Sequence, residues 1–524
     1  MKKYLFIILL FLSLVASANP VRIDSIYYNL DAQAMTAEVT SKTGDWKGSD
    51  TYSGAVSIPS SITYEGVTYT VNGIGNHAFT GSSGLTSIVI PESITRIGDS
   101  AFFDCKGLDT LNIPSSVAYI GGSAFSGTPW LSKQPDGMVY AGLVAYQYKG
   151  EMPENTHITI KEGTKGITSC AFIFRKNLTS VTIPESVTNI GGAAFRDCIG
   201  LTSVHLPSSV TSIEDEVFEG CTSLASVNIP DGVTRIGVSA FYYCSSLTSL
   251  TIPETVTCID RYAFRGCSGL TSMTIPGRVT SIGHQAFMEC AGLTSIVIPE
   301  SVTYIGQFAF CKCSSLVSVT VPSSVTQMGD AIFEGTPWLD NQPDGMVYAD
   351  QVAYLYKGEM PHKMPQNTHV AIKEGTTIIA SEAFRYCFDL ASVTIPHTVT
   401  TIGDMAFYAC TSLSSVTIPS SVVRMEGSAF RGCRNLTSVT IQSSDVSIEY
   451  GTFLNCPLLS SVTNLSPVPQ KIDPKAFGAY RTLHVLPGCK AAYEAAEYWN
   501  HFIIVEDAVM DEDASLAKDK LQAL

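Results

Sequence analysis

The 524-residue chain is short of positive charge, with 32 Lys and Arg against 47 Asp and Glu. That balance excludes a nucleic-acid binder and unaided adsorption to anionic lipid. Long apolar runs are missing except at the start. There residues 4–15 follow Lys2 and Lys3 and precede Ala16-Ser17-Ala18. The run is short for a membrane anchor and has the three parts of an export signal, so residues 1–18 are expected to be a signal peptide. Its removal takes Lys2 and Lys3 with it, and the formal charge goes from −15 to −17. The mature chain is expected to be exported, secreted or at the cell surface, without a transmembrane segment.

Catalytic signatures are also lacking. No H-E-x-x-H, G-x-S-x-G or Gly-rich phosphate loop occurs. The nine histidines are scattered, His362 and His369 being the nearest pair. No metal and no cofactor are expected, because a zinc site needs clustered ligands of tetrahedral reach.

What the chain has is repetition. Residues 178–200 read LTSVTIPESVTNIGGAAFRDCIG, and the leading Leu returns at Leu201, Leu224, Leu247, Leu270, Leu293 and Leu316, always 23 apart. A fixed period of this length marks a solenoid. Val181 and Ile183 alternate with Ser180 and Thr182, the period-2 pattern of a half-buried strand. Pro184 has no N–H for a ladder and should end that strand. Residues 187–190 read as a second short strand, and Gly191 as a bend. Ala194, Phe195 and Cys198 have the spacing of a single helical or 3₁₀ turn. One coil cannot bury Ile183 and Phe195 alone, so equivalent coils must stack and place each residue on its own copy. Sixteen such Phe positions run from Phe79 to Phe477.

The F-x-x-C-x-x-L-x-x-V-x-I run of Phe195, Cys198, Leu201, Val204 and Leu206 is similar to a leucine-rich repeat with Cys replacing one Leu. Its IPxSVTxIGxxAFxxC form resembles the BspA-like repeats of bacterial surface and secreted proteins, over roughly residues 51–505. The expected fold is therefore a β-rich repeat solenoid of leucine-rich-repeat type, right-handed, with parallel strands and short helical turns, capped at both ends. The resemblance implies adhesion to host or bacterial surface proteins.

In order, residues 19–72 read as an N-terminal β cap, with strands at 21–30 and 34–41 and a hairpin around 64–71. An open solenoid end exposes apolar surface and unpaired edges, which is why a cap is needed. Residues 73–480 are the solenoid. It carries two near-identical insertions near 129–153 and 337–365, PWLSKQPDGMVYAGLVAYQYKGEMP and PWLDNQPDGMVYADQVAYLYKGEMP, each read as a hairpin projecting from its coil. Residues 481–506 form a C-terminal cap and 507–524 an acidic tail.

Eleven of the fifteen cysteines lie three residues after a column Phe and read as reduced packing residues, since their Cβ vectors should run parallel. Cys170, Cys258, Cys311 and Cys489 lie off the column, with Cys258 the best candidate for a reactive thiol. Ser and Thr alternate along the outer face of the first strand, a lattice explained by strand preference or usable as a recognition surface. Aromatics concentrate in the insertions: Trp130, Tyr140, Tyr146 and Tyr148, then Trp338, Tyr348, Tyr354 and Tyr356. They either pack on adjacent coils or form binding sites. The function expected is non-catalytic binding of extracellular proteins such as host matrix components, with carbohydrate binding or a structural envelope role as alternatives. An enzyme acting on glycans through Glu151 and Glu359 is the rival class.

Overall fold

The computed structural model describes residues 20–43, 52–357 and 365–509. The expected signal peptide, the tail from residue 510, and Glu359 and His362 lie outside them. The chain divides into two units, residues 1–253 and 254–524.

In the first unit, Val21–Ile23, Ile26–Asp31 and Thr36–Thr40 form an antiparallel meander. Asp24, at φ 54°, makes the turn that splits the expected first strand. Thr36–Thr40 then runs parallel to Val67–Ile74, which pairs antiparallel with Ser61–Tyr64. The end of Val67–Ile74 also aligns with the first regular coil, Gly73 opposite Arg96 and Ile74 opposite Ile97. The meander thus occupies the edge that the first coil would leave unpaired.

Each regular coil contributes to three ladders. The first strand pairs in parallel and in register, as with Ser180, Ser203 and Ser226. The second is shorter, as with Gly166–Ile167 beside Asn189–Ile190. The third runs through the Phe turn: the Ala193, Phe195 and Asp197 N–H groups donate to the Asp215, Val217 and Glu219 carbonyls, at 2.9, 3.0 and 2.7 Å. This turn is not helical, unlike the single turn its apolar spacing suggested. Ala193 and Asp197, two residues either side of Phe195, are left-handed at φ 55° and 56°. The left-handed residues let alternate N–H groups point at the next coil, a direction a helical turn would not give them. Gly191 serves close stacking and not a bend, because a Cβ there would lie 2.4 Å from the Ser169 backbone nitrogen of the preceding coil.

The phenylalanines stack in columns. Ring centroids lie 4.9 and 5.6 Å apart along Phe79, Phe102 and Phe125, and 5.3 to 5.6 Å along Phe172, Phe195, Phe218 and Phe241. All seven are fully buried.

The second unit repeats the plan, with columns Phe264 to Phe333 and Phe384 to Phe477. Its last strands, Ser461–Asn464, Thr482–Val485 and Ile503–Glu506, continue the first ladder. Asn464, where the repeat has Ile, is buried and donates to Gln470 Oε1 at 2.7 Å. The helix Lys490–Ala495 and the 3₁₀ turn Trp499–His501 then place buried Tyr493 and Trp499 against this end. Trp499 Nε1 donates to the Gln470 carbonyl at 2.8 Å.

Candidate functional site

The cysteine column is structural. Cys198 Sγ donates to the Phe172 carbonyl and Cys221 Sγ to Phe195, both at 3.0 Å. In the second unit Cys410 Sγ donates to Phe384 at 3.1 Å. The thiol is a small hydrophobe whose S–H adds a second, weak bond to a Phe carbonyl that already accepts a turn N–H, as Phe172 does from Arg175 at 3.0 Å. Burial pushes Cys105 and Cys198 up to about 12, and Cys410 well above the usual thiol value, so these groups stay protonated and inert. None of the fifteen cysteines is assigned to a disulfide. Cys311 is buried, Cys258 and Cys489 are half-buried, and Cys170 is exposed. Cys170 is therefore the most accessible thiol, where the sequence had favoured Cys258.

Each insertion is a joint. After Phe125 the helix Pro129–Ser132 begins at Thr128, whose Oγ1 accepts from the Leu131 N–H at 3.2 Å and donates to the Phe125 carbonyl at 2.7 Å. Pro129 fits the first turn because no N–H is needed there. Trp130 then lies edge-on to Phe125, centroids 5.0 Å apart. The hairpin Gly137–Ala141 and Val144–Lys149 follows, with Gly142 at φ 60° in its turn. It does not simply project. Its second strand is itself a rung, Val144 pairing with Gly166 and Ala145 with Ile167.

Column Phe N–H groups normally donate to the next coil, as Phe102 does to Ala124 at 2.7 Å. At the joint that carbonyl is missing, and the Phe125 N–H donates to the Tyr146 hydroxyl at 2.9 Å. Tyr140 Oη accepts from the Lys161 N–H at 3.1 Å, and Lys161 Nζ sits 4.2 Å from the ring centroid. The Arg175 guanidinium lies over Tyr148 at 5.3 Å.

The second joint is built the same way. Trp338 lies 4.8 Å from Phe333, the Phe333 N–H donates to Tyr354 Oη at 2.9 Å, and the Lys373 N–H donates to Tyr348 Oη at 2.9 Å. Tyr356 lies 6.2 Å from Phe384. Tyr146, Tyr148 and Tyr354 are buried; Trp130, Tyr140, Trp338, Tyr348 and Tyr356 keep part of a face in solvent. All eight rings thus have internal partners. Glu151 is exposed, beside the first hairpin.

Three outer surfaces remain. The first is the hydroxyl lattice, which is in register at Ser415, Ser438 and Ser461 and at Thr417, Thr440 and Thr463. Where it borders each joint a histidine enters: His157 Nδ1 lies 2.7 Å from Ser180 Oγ, and His369 Nδ1 lies 2.7 Å from Ser392 Oγ. The second is an aromatic edge of the second unit. Tyr386 lies 5.9 Å from exposed Phe388 and 5.6 Å from Tyr408, with the Arg385 guanidinium over both tyrosines.

The third surface escaped sequence reasoning. At the second joint the coils before and after the hairpin meet. Gln327 Nε2 donates to Glu426 Oε1 at 3.2 Å across 99 residues of sequence. Asp330, Glu382 and Asp404 share this face. Burial, then repulsion from Glu426 and Asp330, lifts Asp404 above its ordinary value, and burial lifts Glu382. Glu426 stands where the repeat has Gly191 and Gly403, a signal that aligning the coils would have revealed. No group of three or more His, Cys, Asp or Glu among the described residues is arranged to hold a metal ion.

The BspA type leucine rich repeat region matches this chain in six copies over residues 56–134, 145–254, 234–342 and 363–484. The chain belongs to this family of leucine-rich-repeat proteins. No curated protein matches it. Among solved structures, a leucine-rich repeat protein from Bacteroides ovatus is 26% identical, covers 85% of this chain and 94% of its own, and has a TM-score of 0.35. A leucine rich cell surface protein from Faecalibacterium prausnitzii is 24% identical over 86% and 95%, with a TM-score of 0.23. The pneumococcal vaccine antigen PcpA is 16% identical over 94% and 99%, with a TM-score of 0.21.

Proposed function

We propose that this is an exported, non-catalytic binding protein of the cell surface, engaging extracellular proteins such as host matrix components. The observation that carries the reading is the in-register outer face of the first ladder, one set of side chains per coil on parallel strands. A rigid array of this kind offers many weak contacts that add through multivalency. The half-exposed faces of Trp130, Tyr140, Trp338 and Tyr348 flank it as secondary contacts; Tyr146 and Tyr354 hold the joints. Export rests on the N-terminal sequence, and the surface role on the family.

A carbohydrate ligand is the second reading, favoured by the Tyr386, Phe388 and Tyr408 edge, where rings could stack on sugars. The test is a binding screen of the mature chain against matrix proteins and glycans. Its variants are Ser180→Glu with Ser203→Glu on the first face, Trp130→Leu with Trp338→Leu at the joints, and Phe388→Ala on the edge. Protein binding lost in the first variant supports the main reading. Glycan binding lost only with Phe388 promotes the second, and turnover of a glycan that requires Glu151 or Glu359 overturns both.

A further inference from the structure

We propose that the second joint is an acid-tightened hinge: Asp330, Glu382, Asp404 and Glu426, drawn from four coils onto one face, hold it looser at neutral pH than in acid.

The hairpin Gly345–Ala349 and Val352–Lys357 interrupts the second ladder, and the coils on either side approach each other there, as the contact between Gln327 and Glu426 shows. Groups from each neighbouring element face the cluster. The coil before the hairpin brings Gln327 and Asp330; Asp330 Oδ1 is buried with no hydrogen-bond partner. One coil earlier, Tyr304 lies near enough to feel the Glu426 charge, and its hydroxyl is 2.9 Å from His284 Nε2. The hairpin brings Tyr354, which feels Asp330, Glu334 and Cys311. The coils after it bring Glu382 with Arg385, Asp404, and Arg424 with Glu426. Four carboxylates therefore face two guanidinium groups. Arg385 pairs with Glu382, and Arg424 Nε lies 3.0 Å from Glu426. Asp330 and Asp404 have no ion-pair partner among the described residues.

The first joint shows that the architecture does not need these charges. Aligned on Phe125 with Phe333 and on Phe172 with Phe384, the positions of Asp330, Glu382 and Asp404 hold Gly122, Cys170 and Gly192. Only Glu426 has an acidic counterpart, Glu214. The same rungs and tyrosine bonds form around small residues. The first joint carries acids of its own, Asp99, Asp215 and Glu216, where the second has Gln307, Gly427 and Ser428, but Asp215 is paired with Arg235 and Glu216 with Arg196. The second joint differs in gathering Asp330 and Asp404, neither in an ion pair among the described residues, where its twin has glycine.

The sign follows from the two shifted groups. Glu382 and Asp404 have ordinary values of 4.5 and 3.8 and are raised in the fold, so the folded joint holds protons more tightly than the opened one. The contribution to stability is full below the ordinary values. It is lost as pH rises through the raised ones, and the joint opens more readily at neutral pH.

The test is hydrogen exchange on the full mature chain at pH 5.0 and 7.5, corrected for intrinsic exchange. It reads peptides covering residues 345–357 and 378–406, with 137–149 of the first joint as reference. Wild type should open several-fold more at pH 7.5 than at pH 5.0 in the second joint, beyond any change in the reference. Glu382→Gln with Asp404→Asn should remove most of that excess, while Arg385→Gln should enlarge it by taking away the shared cation. If the double variant does not fold, Asp330→Asn alone should reduce the excess in the same direction. An unchanged pH response in the folded variants, or an equal response at both joints, overturns the proposal.

Discussion

The two joints are near copies in sequence and in backbone, yet they differ in what lines them. Both replace a missing coil by one hydroxyl: Tyr146 accepts from Phe125, and Tyr354 from Phe333. Both start a short helix at a buried Thr and turn a tryptophan edge-on to the last Phe of a column. Around that shared frame the first joint has Gly122, exposed Cys170 and Gly192, and the second has Asp330, Glu382 and Asp404. What repeats is what closing the joint requires. What differs is free to serve something else.

The largest effect should come from breaking the shared part. Tyr146→Ala and Tyr354→Ala each remove a buried ring and the only acceptor seen for a buried N–H, and each should cost about 3–5 kcal/mol. Tyr146→Phe and Tyr354→Phe keep the ring and leave that N–H unsatisfied, costing about 1–3 kcal/mol. Urea unfolding followed by circular dichroism reads both. Equal losses at the two positions support equivalent joints. A Phe variant as stable as wild type would mean that water replaces the hydroxyl and the bond is incidental.

This also marks where the sequence stops being legible. The columns could be read directly, because a residue buried in every coil must recur at every period, as Phe195 and Cys198 do. The chain's membership of the repeat family was readable for the same reason. The joints could not be read in full. Tyr146 could be read as packing on a coil or as a binding site, and its hydroxyl has no assignable partner until Phe125 is seen to lack its carbonyl. The turn conformation was hidden too, since Ala193, Asp197 and Tyr262 are left-handed without being glycine. The carboxylate face joins positions 99 residues apart, and only the Gly-to-Glu exchange at Glu426 hinted at it.

The next test sharpens the comparison by moving charge between joints. A Cβ at Gly122 would meet Ser169 Cβ at 3.4 Å and Asp99 Oδ1 at 3.7 Å, so a side chain fits. Gly122→Asp with Cys170→Glu should give the first joint the pH response of the second. The expected loss is on the order of 1 kcal/mol at pH 7.5, with recovery in acid. A loss independent of pH between 5.0 and 7.5 would point to steric damage instead.

Cys170 offers a reading without a change in stability. It is exposed, whereas the column thiols are buried. Partial desolvation of its sulfur by the neighbouring coil, and then the Glu216 charge, raise its pKa, so it should react more slowly than a free thiol and much faster than the column. Limited maleimide labelling of the native chain, followed by peptide mapping, should find Cys170 modified before Cys198 or Cys410. Early modification of a column cysteine would mean that the coils open more readily than their packing implies.

The smallest effect concerns the left-handed residues that flank each Phe. Asp197 and Ala409 are equivalent, at φ 56° and 58°. Ala has no side-chain group to compensate the left-handed cost of about 1–2 kcal/mol. Glycine would relieve it but loses about 0.5–1 kcal/mol through the greater freedom of the unfolded chain. Ala409→Gly should therefore stabilise by less than about 1 kcal/mol. Asp197→Gly should gain less or lose, since Asp tolerates this conformation better and its carboxylate lies 3.7 Å from Arg196 Nε. Urea midpoints of the two variants against wild type separate these outcomes. A larger gain at Asp197 than at Ala409 would mean that the side chain strains its coil, and that the left-handed positions of the two units are not equivalent after all.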